Sequence, residues 1–174
     1  MSYTLSPRDL AIRAKDFATE RHAGQVRRYT GEPYITHPAA VAELVRSVPH
    51  TEIMLAGAWM HDLVEDGRAS LKEIEAKFGA DVACMVWMLT RDREASKLPR
   101  ETRCEIDVLH AKAMSDSAKT IKLADIIDNC STLNERDPAR ARVYFAEKRR
   151  MLSPLLSGNA TLGLRALQLL HSIE

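Results

Sequence analysis

The chain has 174 residues, 45% hydrophobic and only 5% aromatic, with 25 basic and 24 acidic side chains and a net charge of +1. That length suits a single domain with a real core, expected over residues 1–174, and the balanced charge gives no global reason to bind nucleic acid or an anionic membrane. No apolar stretch reaches the roughly 18 residues of a membrane span and no leader stands out; with Cys84, Cys104 and Cys130 isolated, free thiols in a cytoplasmic protein are expected.

Ser6-Pro7-Arg8-Asp9 reads as a helix start, with Ser6 at the N-cap and Pro7 at the first position. The stripe Leu10, Ala11, Ala14 and Phe17 carries that helix to about His22. Thr30-Gly31-Glu32-Pro33 marks a loop from Arg27 to Pro38. A helix then begins near Pro38, turns Val41, Leu44 and Val45 inward, and ends at Pro49. Thr51 caps the next one, whose nearly unbroken apolar run from Ile53 to Met60 predicts burial on most sides. That helix is expected to continue through His61, Asp62, Glu65 and Asp66 and to stop at Gly67. Ser70-Leu71-Lys72-Glu73 is a capping box, and Gly79 closes the helix it opens. Further helices are predicted from Ala80 to Leu89, Pro99 to about Asp116, Ser117 to Leu133, and Asp137-Pro138 to about Leu156, with a last one capped by Asn159. No strand emerges. The expected fold is all-α, a helical bundle of about nine or ten helices.

The chemistry concentrates where the apolar helix gives way to charge. Neighbours on a helix recur at i+3 and i+4, so His61, Asp62, Glu65 and Asp66 are expected on one side. Crowded carboxylates need a compensating positive charge, and a divalent metal supplies one. His37 before one helix and Asp125 inside the apolar run Ile121–Asn129 complete a set of two imidazoles and two carboxylates. Such a mixed N/O set suits Mn²⁺, Fe²⁺ or Zn²⁺. Alone, His61-Asp62 reads equally well as an ion pair. Glu65 and Asp66 could orient or deprotonate a water, or protonate a leaving group. As plain residues of a helix C-terminus they would oppose its dipole. Arg27 and Arg28 suit phosphate or base recognition, although paired surface arginines are common. Lys122, Asn129 and Thr132 share a helix with Asp125, and Arg140 and Tyr144 form an i, i+4 pair that is ordinary helix surface on spacing alone. The run Lys148-Arg149-Arg150 reads as a solvated face, and His22, His50, His110 and His171 suggest no partner.

Together these residues resemble the HD-domain phosphohydrolases, with His61-Asp62 as the HD pair. More closely, Gln25-Val26-Arg27-Arg28, Gly31 to Pro38, His61 to Asp66, Phe78-Gly79 and Lys122 to Asp125 with Asn129 are similar to the hydrolase domain of RelA/SpoT-type enzymes. They occur in the family's order, over about residues 8 to 156. The length, with no room for synthetase or regulatory domains, and the stretch Arg140 to Phe145 resemble the stand-alone small alarmone hydrolases of the Mesh1 type. This resemblance implies removal of the 3′-pyrophosphate of ppGpp or pppGpp with Mn²⁺ as cofactor. It implies His37, His61, Asp62 and Asp125 as metal ligands and Glu65 and Asp66 as the catalytic pair. Substrate contacts would be Arg27, Arg28, Asn129, Arg140 and Tyr144, joined by Lys122 and Thr132. The only partner implied is a small nucleotide, with no nucleic acid and no membrane. Ile126 stands where the family usually has a basic residue, and Asp128 where it has His or Tyr. Asp128 adds negative charge near the site and bears on substrate preference. Two rival readings are a hydrolase of another nucleotide, such as ppApp or NADPH, and a catalytically idle alarmone-binding protein.

Overall fold

Capping side chains set five of the helix starts among the described residues. In the computed structural model, which describes residues 7–92 and 94–172, Thr51 accepts a hydrogen bond from the Met54 amide and Ser70 from Glu73. Asp137 accepts from the Arg140 amide, and Asn159 from Thr161 and Leu162. Each such cap satisfies backbone donors that the first helical turn leaves over, worth about 1 kcal/mol. The proposed cap at Ser6 lies outside the described residues. The helices are α1 (Pro7–Arg21), α2 (Thr36–Arg46), α3 (Glu52–Met60), α4 (Leu71–Phe78), α5 (Ala80–Leu89), α6 (Arg100–Ala113), α7 (Asp116–Arg136), α8 (Pro138–Leu155) and α9 (Ala160–Leu170). A 3-10 turn covers Glu94–Lys97, and the one β-type pairing among the described residues is an isolated bridge between Val26 and Pro33. The fold is all-α, as expected. No described helix is long and apolar enough to cross a membrane.

Helix α3 is apolar all round and therefore sits in the middle. Every residue from Met54 to Met60 is buried, packed among α1, α2, α5 and α7. Gly57 makes that packing possible, because a Cβ there would lie 2.6 Å from Met85 Cγ and 3.3 Å from Ile121 Cδ1. Helix α7 crosses the same core and also meets α2, α8 and α9. The corner between α8 and α9 closes on it at Gly158, whose missing Cβ would fall 2.7 Å from the Thr120 amide nitrogen. Ile126 is fully buried in this core, which accounts for an apolar residue at that position.

Several boundaries differ from expectation. Helix α2 starts at Thr36 rather than near Pro38 and ends at Arg46, before Pro49. Pro38 is tolerated because the first turn has no partner for its missing N–H. Helix α7 is capped by Ser115, starts at Asp116 and runs three residues past Leu133. The most consequential correction concerns α3. It ends at Met60, with His61 as C-cap, and residues 61–67 form successive turns. The Leu63 amide donates to Met60 O (3.1 Å) and Asp66 to Asp62 O (2.8 Å). Gly67, at φ +69°, then reverses the chain so that Arg68 and Ala69 both donate to Leu63 O. Leu63 is fully buried and anchors this turn. Glu65 and Asp66 therefore project from a turn, not from a helical stripe.

Candidate active site

Three elements bring the proposed ligands to one point. His37 lies in the first turn of α2, His61 and Asp62 lie just past the end of α3, and Asp125 lies midway along α7. His61 Nε2 is 3.2 Å from His37 Nε2 and 3.2 Å from Asp62 Oδ2. His37 Nε2 is 3.6 Å from Asp62 Oδ2 and 3.3 Å from Asp125 Oδ1, and His61 Nε2 is 3.9 Å from that same oxygen. His37, His61 and Asp62 offer ligand atoms all within 4.8 Å of one another.

The other ring nitrogens are already committed. His61 Nδ1 donates to Ala58 O (2.8 Å) and His37 Nδ1 donates to Asp128 Oδ2 (2.7 Å). Each imidazole is thereby fixed with its Nε2 turned inward, the orientation that hydrogen-bonded partners impose on metal-binding histidines. The carboxylates are held too. Asp62 Oδ2 accepts from Tyr34 Oη (2.5 Å), and Asp125 accepts from Lys122 Nζ (2.7 Å) and Asn129 Nδ2 (2.6 Å). Two facing imidazole nitrogens and two carboxylates with oriented supports form a donor set that fits a divalent cation.

Electrostatics around this point are strongly coupled. Burial disfavours protonation of His37, but Asp125, Asp128 and Asp62 outweigh it and push its pKa up to about 9. Burial likewise opposes the Asp62 carboxylate, yet His61 and His37 hold it below the ordinary carboxyl range. Asp125 is held low against burial by Lys122, His37 and His61. Tyr34 stays protonated, raised by burial and by Asp62, and so keeps its hydroxyl as a donor.

Glu65 and Asp66 lie on the turn that follows Asp62, a proposed ligand. Glu65 Oε2 accepts from the Arg91 amide (3.2 Å). Asp66 is exposed, and its Oδ2 accepts from Gln25 Nε2 (2.7 Å). Gln25 in turn accepts from His22 Nδ1 (2.8 Å), and His22 packs on Tyr34 with ring centroids 4.8 Å apart.

A cavity of about 250 Å³ opens next to His37. Its walls include Arg27, Arg28, Asn129, Thr132, Arg140 and Tyr144, with Tyr29 and Tyr34. Six of the seven expected substrate contacts thus share one cavity. Lys122 is not among its lining residues and instead donates to Asp125, a proposed ligand. Arg28 and Arg140 both lie over the Tyr29 ring, at 5.8 Å and 5.7 Å. Arg27 also pairs with Asp128 at 2.8 Å, so one carboxylate joins this wall to His37.

Residues 14–159, carrying every one of these side chains, match the HD-domain family. The chain belongs to the HD-domain family. Over 156 residues it is 35% identical to zebrafish (Danio rerio) MESH1, a guanosine-3′,5′-bis(diphosphate) 3′-pyrophosphohydrolase, across 84% of each protein. It is 36% identical over 155 residues to a probable guanosine-3′,5′-bis(diphosphate) 3′-pyrophosphohydrolase of Synechocystis sp., matching 87% of this chain but spanning only 20% of that longer protein. The solved structure of a metazoan ortholog of SpoT, described as hydrolyzing ppGpp, superposes with a TM-score of 0.84 at 29% identity, covering 95% of this chain and 96% of that one.

Within this HD-domain chain, three roles escaped the sequence reading. Asp128, expected only to add negative charge near the site, buttresses His37 and Arg27. His22 has a partner in Gln25. Lys148 is buried, not part of a solvated face. The last was legible in outline: Ala141, Phe145, Lys148, Leu152 and Leu155 recur at helical spacing, and all are buried.

Proposed function

We propose that the chain hydrolyses the 3′-pyrophosphate of guanosine 3′,5′-bis(diphosphate), ppGpp or pppGpp, releasing pyrophosphate and GDP or GTP with Mn²⁺ as cofactor. The observation that carries this reading is the convergence of His37, His61, Asp62 and Asp125 at the edge of an arginine- and tyrosine-lined cavity. Same-length relatives named for this activity support it. Those four residues would hold the cation. When bound, it would lower the pKa of water and offset phosphate charge.

The chain's own residues do the rest. Glu65 and Asp66 handle protons: one takes a proton from the attacking water, the other serves the ribose 3′ oxygen as it departs. Glu65 accepts from the Arg91 amide, and the Gln25 side chain donates to one oxygen of Asp66. The base enters the cavity beside Tyr29, between guanidinium groups that stack and donate. Arg27 and Arg28 capture the nucleotide.

The test is product analysis by anion-exchange chromatography after incubation with Mn²⁺. ppGpp should yield GDP and intact pyrophosphate, while GDP and GTP should survive. Release of single orthophosphates, or comparable cleavage of GTP, ppApp or NADPH, would overturn the assignment.

A further inference from the structure

A second cavity, of about 410 Å³, adjoins the first across one turn of α8, because Arg140 and Tyr144 line both. Five cations face it, Arg91, Arg100, Arg103, Arg140 and Lys148, against two carboxylates, Asp107 and Glu147. The carboxylates are already engaged: Asp107 holds Arg91 at 2.8 Å, and Glu147 pairs with Arg100. Among the described residues, Arg103 and Arg140 pair with neither carboxylate, and Lys148 reaches only Asp107, which Arg91 already engages. Arg103 has a buried Nε with no acceptor. Lys148 is only 5% exposed, lies 3.7 Å from the occupied Asp107, and otherwise meets Met151 Sδ and the Tyr144 ring. Burial pushes its ammonium below the ordinary lysine range, helped by Lys122 and opposed by Asp107. A buried ammonium with unused donors costs stability unless an anion completes it.

Resting on the reaction just assigned, we propose that this cavity gauges the 5′-phosphate chain of the nucleotide, with Lys148 and Arg103 as the specificity-determining residues, so that pppGpp is preferred over ppGpp and ppGpp over pGpp. The nucleoside lies in the first cavity with its 3′-pyrophosphate at the ligand cluster. The 5′ chain passes Arg140 and Tyr144 into the second. A monophosphate meets only the shared wall. Each added phosphate reaches further cations and gains charge-assisted hydrogen bonds, of the kind that change affinity by about tenfold each.

The experiment measures kcat/KM for pGpp, ppGpp and pppGpp in the Mn²⁺-loaded protein, in wild type, Lys148→Met and Arg103→Gln. Wild type should improve about tenfold per 5′-phosphate, the gain appearing in KM. Both variants should flatten the series to within about threefold while kcat for pppGpp changes little. Arg103 is half-buried, so its variant keeps the test open if Lys148→Met fails to fold. A flat wild-type series with ppGpp still cleaved overturns the gauge and leaves the reaction standing. So does an unchanged series in both variants with a raised inhibition constant for pyrophosphate, which would assign the cavity to the leaving group. If no guanosine bis-phosphate is cleaved, the reaction falls. The cavity is then judged by tripolyphosphate binding to the metal-free protein in calorimetry: binding that is lost in both variants supports a polyphosphate site, and no binding overturns it.

Discussion

His61-Asp62 and Glu65-Asp66 are two acid-bearing pairs three residues apart, and the structure treats them in opposite ways. The first pair is clamped. His61 is buried with its ring fixed by Ala58 O, and Asp62 is held by Tyr34. The second sits on a turn: Asp66 is exposed and accepts from the Gln25 amide side chain, and Glu65 has the Arg91 backbone N–H at 3.2 Å among its contacts. Groups that hold a cation must be preorganised, because misplacement costs affinity directly. Groups that pass protons must change partners during a turnover. The end of α3 at Met60 creates this difference, placing the first pair against the core and the second on a turn above it.

The contrast predicts different failures. Asp62→Ala should lose the metal and reduce activity on the order of 10³-fold or more; elemental analysis should find almost none bound. Chelation of wild type should likewise lower Tm, since a ligand bound only by the native state at a hundredfold over its Kd adds about 2.7 kcal/mol. Retained metal in Asp62→Ala would break the distinction. Glu65→Gln and Asp66→Asn should keep the metal and slow turnover by about 10²–10⁴-fold. Near wild-type single-turnover rates in both would make them mere supports.

Asp128→Asn sharpens the comparison, because it disturbs a ligand through its support. Metal affinity should weaken by about 10–100-fold in a chelator competition. Saturating Mn²⁺ should restore most turnover, and a variant that stays inactive when fully loaded would contradict the assigned role. The smallest effect is expected for Gln25→Ala, which frees Asp66: kcat should fall by about threefold to tenfold at unchanged metal content, the loss of one hydrogen bond to a carboxylate. An unchanged kcat would show that Asp66 needs no tether.

Much of the fold was readable because its signals are local. Thr51, Ser70, Asp137 and Asn159 cap what they were expected to cap, since a cap is settled within four residues. The four proposed ligands, which the structure brings near one another, stood out as polar residues beside or inside apolar runs. The end of α3 was not readable, because no Gly or Pro separates Met60 from Gly67, and the turn is held instead by the burial of Leu63 and the double bond to its carbonyl. The contacts of Asp128 were not readable for another reason. Its partners His37 and Arg27 lie 91 and 101 residues away, and nothing local announces such a pairing.

The shared wall of Arg140 and Tyr144 has an evolutionary consequence. One turn of α8 bounds both cavities, so under the proposed function a substitution there would alter base recognition and phosphate recognition together. Lineages shifting between nucleotides would find that turn a poor place to experiment. Arg103 and Lys148 face only the second cavity, and Arg28 and Thr132 only the first. Divergence in specificity should therefore accumulate at those outer positions, one end of the nucleotide at a time, while the partition between them stays as it is.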